Sequence, residues 1–79
     1  MKLNIITPTE NYYKDVDWVE LNSTSGNFVI LLDHAPMILN LIPGSTVTCG
    51  LKTGKQESLK FVRSIVHVKR DLIVFLGEM

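Results

Sequence analysis

Along most of this chain apolar residues recur at every second position in short runs, and no stretch combines helical periodicity with capping residues. Such alternation places successive side chains on opposite faces of a strand, so the chain is built to fold as strands throughout. Leu3 and Ile5 flank Asn4 before Thr7-Pro8, where a proline without an N–H donor closes a strand. Val16 and Trp18 alternate with Asp15, Asp17 and Val19, which predicts a half-buried strand with one wet face. After the turn cluster Ser23-Thr24-Ser25-Gly26, Phe28 to Leu32 reads as a strand apolar on both faces. Met37 to Ile42 fits either helix or strand by periodicity, and its length with the Pro43-Gly44 stop favours a strand. Thr46 to Leu51 alternates again, Lys52 to Lys55 reads as a hairpin loop, and Leu59 to Val62, Ile65 to Val68 and Leu72 to Leu76 complete the series. Strands every eight to twelve residues with turns between them describe an all-β sandwich or small barrel.

With 79 residues the chain supports one core, so residues 1–79 are read as a single domain. A domain this small buries only about 60% of its unfolded surface, which gives it a physical motive to dock against a partner. Eight Lys+Arg balance eight Asp+Glu, and the zero net charge removes the electrostatic footprint of a nucleic-acid or anionic-membrane binder. The balance is uneven along the chain: residues 1–40 sum to −3 (Lys2 and Lys14 against Glu10, Asp15, Asp17, Glu20 and Asp33), and the remainder to +3. The one cysteine, Cys49, has no partner for an internal disulfide and reads as a small buried apolar residue. The longest apolar runs fall far short of the ~20 residues of a membrane-spanning helix, and the first residues lack a signal-peptide pattern.

Few residues invite chemistry. There is no HExxH, CxxC, GxGxxG or phosphate loop. Asp15 and Asp17 share a strand face about 7 Å apart, yet no third ligand accompanies them, and a solvated face is the simpler reading. His67 lies between Val66 and Val68, so it points away from both and outward. Tyr12, Tyr13 and Trp18 could form a stacking platform for bases, but without interleaved basic residues they read as core and rim packing. Asp33-His34-Ala35-Pro36 is different. Pro36 excludes Ala35 from the helical region, which stiffens the loop and holds Asp33 and His34 at a fixed surface position suited to recognition.

At this loop the chain resembles the N-terminal β-sandwich domain of the epsilon subunit of F-type ATP synthase, which is called delta in mitochondria. The resemblance runs from residue 2 to residue 78: Lys2 to Pro8 as the first strand and its turn, Val16 to Leu21, the turn Ser23 to Gly26, Phe28 to Leu32, then His34-Ala35-Pro36, Met37 to Ile42 and Pro43-Gly44. Two departures stand out: Asp33 replaces the glycine usual before His34, and Arg63-Ser64 stands where the family has a glycine pair.

The resemblance implies an all-β, flattened β-sandwich of about ten short strands and a non-catalytic rotor subunit without cofactor or metal. It would join the gamma subunit to the c-subunit ring, coupling proton or sodium translocation to ATP synthesis. By position it implies c-ring contact through Asn27, Asp33, His34, Ala35 and Pro36, and gamma contact through Met37 and Leu39. The C-terminal helical hairpin of many relatives is not expected here, because the chain reaches only Met79; inhibition of hydrolysis and ATP binding are therefore not expected. The implied location is the cytoplasmic face of a bacterial inner membrane, within the complex, or an organelle-encoded equivalent. Two readings compete: a small OB-like barrel binding a ligand or nucleic acid, which the zero net charge disfavours, and an enzyme using Asp33 and His34 with Cys49 or a serine, which lacks a nucleophile motif.

Overall fold

The computed structural model describes residues 1–79 as eight strands and no helix. They are β1 (Lys2–Ile6), β2 (Asn11–Ser23), β3 (Gly26–Leu31), β4 (Met37–Asn40), β5 (Thr46–Leu51), β6 (Gln56–Lys60), β7 (Arg63–Val68) and β8 (Leu72–Glu78). The resemblance implied about ten strands; the structure has eight, one for each run that alternation marks, with the 13-residue β2 extending beyond Val16 to Leu21 at both ends.

Two sheets result. Sheet A runs β4-β7-β8-β1-β2 and sheet B runs β3-β2-β5-β6, so β2 belongs to both. Its first half pairs with β1 (Asn11 with Ile6 through Asp15 with Lys2), and its second half lies between β3 and β5. All neighbours are antiparallel except β1 and β8, which pair in parallel from Lys2 with Leu72 to Ile6 with Leu76. Leu41 closes the opposite side: it bridges Ser23 at the end of β2 and donates its N–H to the Ser64 carbonyl of sheet A. The result is flattened, 26 × 26 × 18 Å.

The alternation of the sequence fills the space between the sheets. Leu3 and Ile5, Val47 and Cys49, Val66 and Val68, and Ile73 and Phe75 all point inward and are fully or almost fully buried. Phe61 and Phe75 stack at 5.1 Å between centroids, so the loop before β7 also contributes to the core. Leu39 and Leu41 close the core from the β4 side.

The strand β2 departs from simple alternation. Its pairing with β5 shifts between Val16 and Trp18, a bulge that leaves Asp17 as the extra residue. The inward positions are consequently Val16, Val19 and Leu21, and Trp18 turns to the outer face of sheet B instead of sharing a side with Val16. There its indole covers Gly50, where an added Cβ would run into Nε1, so only glycine fits beneath the ring. Phe28 to Leu32 is apolar on both faces, as its sequence reads, but only one face is covered. Ile30 is buried and Phe28 half-buried, but Val29, Leu31 and Leu32 are exposed because β3 ends sheet B and nothing covers its outer side.

The turns follow their residues. Ile42-Pro43-Gly44-Ser45 closes with a 3.0 Å bond from the Ser45 N–H to the Ile42 carbonyl, with Gly44 at φ 75°. Proline followed by a left-handed glycine is the chemistry of a type II turn. Ser23 orders the β2–β3 turn by donating to the Gly26 carbonyl at 2.9 Å and accepting from the Ser25 N–H at 3.0 Å.

Candidate functional site

The structure first disperses the residues that could do chemistry. Cys49 is buried in the core, where burial pushes its thiol up from the ordinary value and removes thiolate character. Asp17 is the extra residue of the β2 bulge and Asp15 lies before it, and they pair with different lysines: Lys2 at 2.8 Å from Asp15, and Lys52 at 4.0 Å from Asp17. The hydrogen bond and charge of Lys2 hold the Asp15 carboxyl below its ordinary range. Tyr12 and Tyr13 are adjacent residues of β2 and point to opposite sides, while Trp18 lies in sheet B, so the three form no common platform. The neighbouring Glu10 raises the Tyr12 hydroxyl above its usual range. No three His, Cys, Asp or Glu side chains converge as a metal site.

What remains are surfaces, and the loop between β3 and β4 is the most sharply built. Asp33 adopts φ 65°, the only positive φ among non-glycine residues of the chain. A left-handed backbone accounts for the glycine that the family resemblance expects at this position, and aspartate is among the residues that tolerate it. The conformation is fastened from two sides. The Asp33 N–H donates to the Arg70 carbonyl in the β7–β8 turn at 2.7 Å, and the His34 N–H donates to the Leu31 carbonyl at 3.2 Å. The half-buried His34 ring lies with Nδ1 2.8 Å from the Ala35 carbonyl; a carbonyl only accepts, so Nδ1 carries the proton. Ala35 and Pro36 are exposed beside it.

The other residues singled out by family position lie elsewhere. Asn27 sits at the far end of β3, where its amide donates to the Asn22 Oδ1 at 2.9 Å and the Leu21 carbonyl at 3.3 Å. Four steps along the strand, about 13 Å at ~3.3 Å per residue, separate it from Leu31, so it does not join the His34 loop in one patch. Met37 and Leu39 both face inward on β4. Leu39 is 7% exposed within the core and Met37 is half-buried against it, so Leu39 is not presented to a partner.

The outward residues of sheet A form the larger surface, and the sequence reading missed it. Cross-strand registers align Asn40, Ile65, Leu76 and Ile6 in one row, and Ile38, His67, Val74 and Asn4 in the next. Ile38, Ile65 and Leu76 are each about half exposed or more, so the two rows make an apolar strip across four strands. At its edge the Thr7-Pro8 turn and Pro43 frame a groove of about 720 Å³ floored by Ile6, Ile65 and Leu76. Arg63 and Glu78 pair across its rim at 3.4 Å. Asn4 lies within the strip, nine-tenths buried, and its Oδ1 accepts no hydrogen bond. The available signal was parity: once Leu39 and Val66 are assigned inward, Ile38 and Ile65 must face out.

The comparisons with known proteins agree with this architecture. No curated protein matches the chain significantly by sequence. Among solved structures, the fold is similar to a chain of the Euglena gracilis mitochondrial ATP synthase OSCP/F1/c-ring assembly, with a TM-score of 0.85 at 17% identity, covering 95% of this chain and 48% of that one. It is similar too to a chain of the Tetrahymena thermophila mitochondrial ATP synthase central stalk and c ring, with a TM-score of 0.79 at 13% identity, covering 100% of this chain and 63% of that one. The chain thus spans about half to two thirds of the length of those matches. The family model described as ATP synthase, Delta/Epsilon chain, beta-sandwich domain matches residues 1–78, and the chain belongs to that family.

Proposed function

We propose that the chain is a non-catalytic rotor subunit of an F-type ATP synthase, joining the gamma subunit to the c ring so that proton or sodium translocation is coupled to ATP synthesis. Family membership over residues 1–78 carries this reading. The apolar strip of sheet A supports it physically, since a face with Ile38, Ile65 and Leu76 exposed gains free energy when covered. A subunit that transmits torque needs a stiff body and adhesive surfaces, and the molecule offers a two-sheet sandwich bridged at Leu41, with dispersed ionisable groups.

In this reading gamma covers the outer face of sheet A, with Ile38 and Ile65 taking the role that family position suggested for Leu39, and Met37 at the margin. The c ring meets the fastened loop of Asp33, His34, Ala35 and Pro36, while Asn27 contributes from the other end of β3. The domain then sits at a membrane surface only through the complex, on the cytoplasmic face of a bacterial inner membrane or the corresponding face of an organelle membrane. The test is co-purification of the intact chain with a gamma subunit and with a c ring. Retention by both is the expected result, and His34→Ala is expected to weaken c-ring retention alone. Absence of binding to gamma by the unaltered chain refutes the reading. Salt-sensitive oligonucleotide binding would instead revive the OB-like barrel, which no feature of the two-sheet architecture favours.

A further inference from the structure

Four strand edges of the sandwich lack a neighbour, and three of them carry protection of the kind that prevents edge-to-edge pairing. The β6 edge holds Gln56, Glu57 and Lys60; the first half of β2 holds Lys14 and Asp15; and β4 is four residues long and runs into the bridge at Leu41. The β3 edge has none of these devices. Gly26 to Leu31 contains no charge and no proline, and its pairing with β2 shows no register shift. It also presents Val29 at 53% and Leu31 at 56% exposure on the outer face of sheet B.

We propose that two copies of the free domain associate through β3, antiparallel across a two-fold axis, extending sheet B from one copy into the other. Register discriminates among the possible pairings. Shifting by one residue would set opposite faces against each other, and centring on Val29 would place Leu31 against Asn27. Centring on Ile30 sets Val29 of each copy against Leu31 of the other on the outer face, and the two Ile30 residues opposite each other on the inner one. From Val29 to Leu31 that pairing matches apolar with apolar, in the way cross-strand pairs stabilise sheets. The nearest charges, Asp33 of each copy, then lie at opposite ends of the strand pair and do not repel. One strand edge with a few flanking side chains falls below the ~1,200 Å² of stable specific interfaces, so the association is weak and concentration-dependent. This inference is independent of the rotor reading.

Sedimentation equilibrium of the chain from about 10 µM to about 1 mM tests it. The mean mass is expected to rise from 8.9 kDa toward twice that value. Val29→Lys and Leu31→Lys, both outward substitutions, are each expected to weaken association at least tenfold with an unchanged circular dichroism spectrum. Ser58→Lys, on the same face but on β6, should leave it intact. For the register, a mixture of Val29→Cys and Leu31→Cys chains should form the mixed disulfide faster than either chain pairs with itself. A monomer throughout the range, a dimer that survives both lysines, or preferential self-pairing of either cysteine variant would overturn the proposal.

Discussion

Sheet A turns Ile38, Ile65, Val74 and Leu76 outward, whereas the outer face of sheet B shows Glu20, Thr46, Thr48, Ser58 and Lys60, with apolar residues confined to β3 and to Trp18 over Gly50. Both sheets bury the same kinds of residue, such as Val66 and Phe75 from one and Val47 and Ile30 from the other. The difference therefore owes nothing to folding, which is served by the inner positions alone. It teaches that the outer positions record what covers each face: water over most of sheet B, and, in the proposed rotor reading, a partner over sheet A.

The largest effect should come from the core that both faces share. Phe75→Ala removes the stacked partner of Phe61 and should cost about 3–5 kcal/mol, read as a lower urea midpoint with every binding property lost together. If only one face loses function, the sheets are less coupled than the common core implies. Next comes the contrast itself. Ile65→Lys on sheet A is expected to weaken gamma binding at least tenfold, or about 1.4 kcal/mol, while leaving the thermal midpoint within a degree or so. Ser58→Lys on sheet B should change neither quantity, and equal losses from the two would erase the distinction between the faces.

A smaller change sharpens the same comparison. Asn4 is the one buried polar side chain in the apolar strip and leaves an acceptor unpaired, so Asn4→Leu is expected to raise the stability of the free domain by about 1 kcal/mol. Destabilisation by Asn4→Leu would show that its amide has a structural role. Smallest of all is Lys2→Met, which removes the exposed ion pair with Asp15. Because the Asp15 carboxyl is held low in the folded domain, whatever the pair contributes is present above the unfolded carboxylate range and is lost as pH falls through the lowered folded value. The two proteins should differ marginally at neutral pH and converge in acid, and a gap that widens in acid would contradict the assignment.

How much of this was legible follows from what alternation can encode. Where a strand has one inward face and no irregularity, as at Leu3 and Ile5 or Val66 and Val68, spacing alone identified the core. It failed at β2, because a bulge inserts one residue and reverses parity between Val16 and Val19, and nothing local in Asp15 to Val19 marks it. It left the exposure of Val29 and Leu31 unread, since apolar composition does not say whether a neighbour exists. The parallel pairing of β1 with β8 joins strands about 70 residues apart and has no sequence signature at all. Of the candidate site, the left-handed Asp33 was foreshadowed by the glycine it replaces, whereas its tie to Arg70 was not, because that carbonyl arrives from a distant hairpin.

The parallel pairing also has a mechanical reading. Strands that run side by side in the same direction place the start of β1 and the end of β8 at opposite ends of their shared ladder. Tension along the domain between those two points loads the ladder in shear, so its hydrogen bonds resist together. In a hairpin pulled from its open end they would break in succession. A small body built this way yields late and abruptly under load, which is the behaviour the proposed rotor role would ask of it.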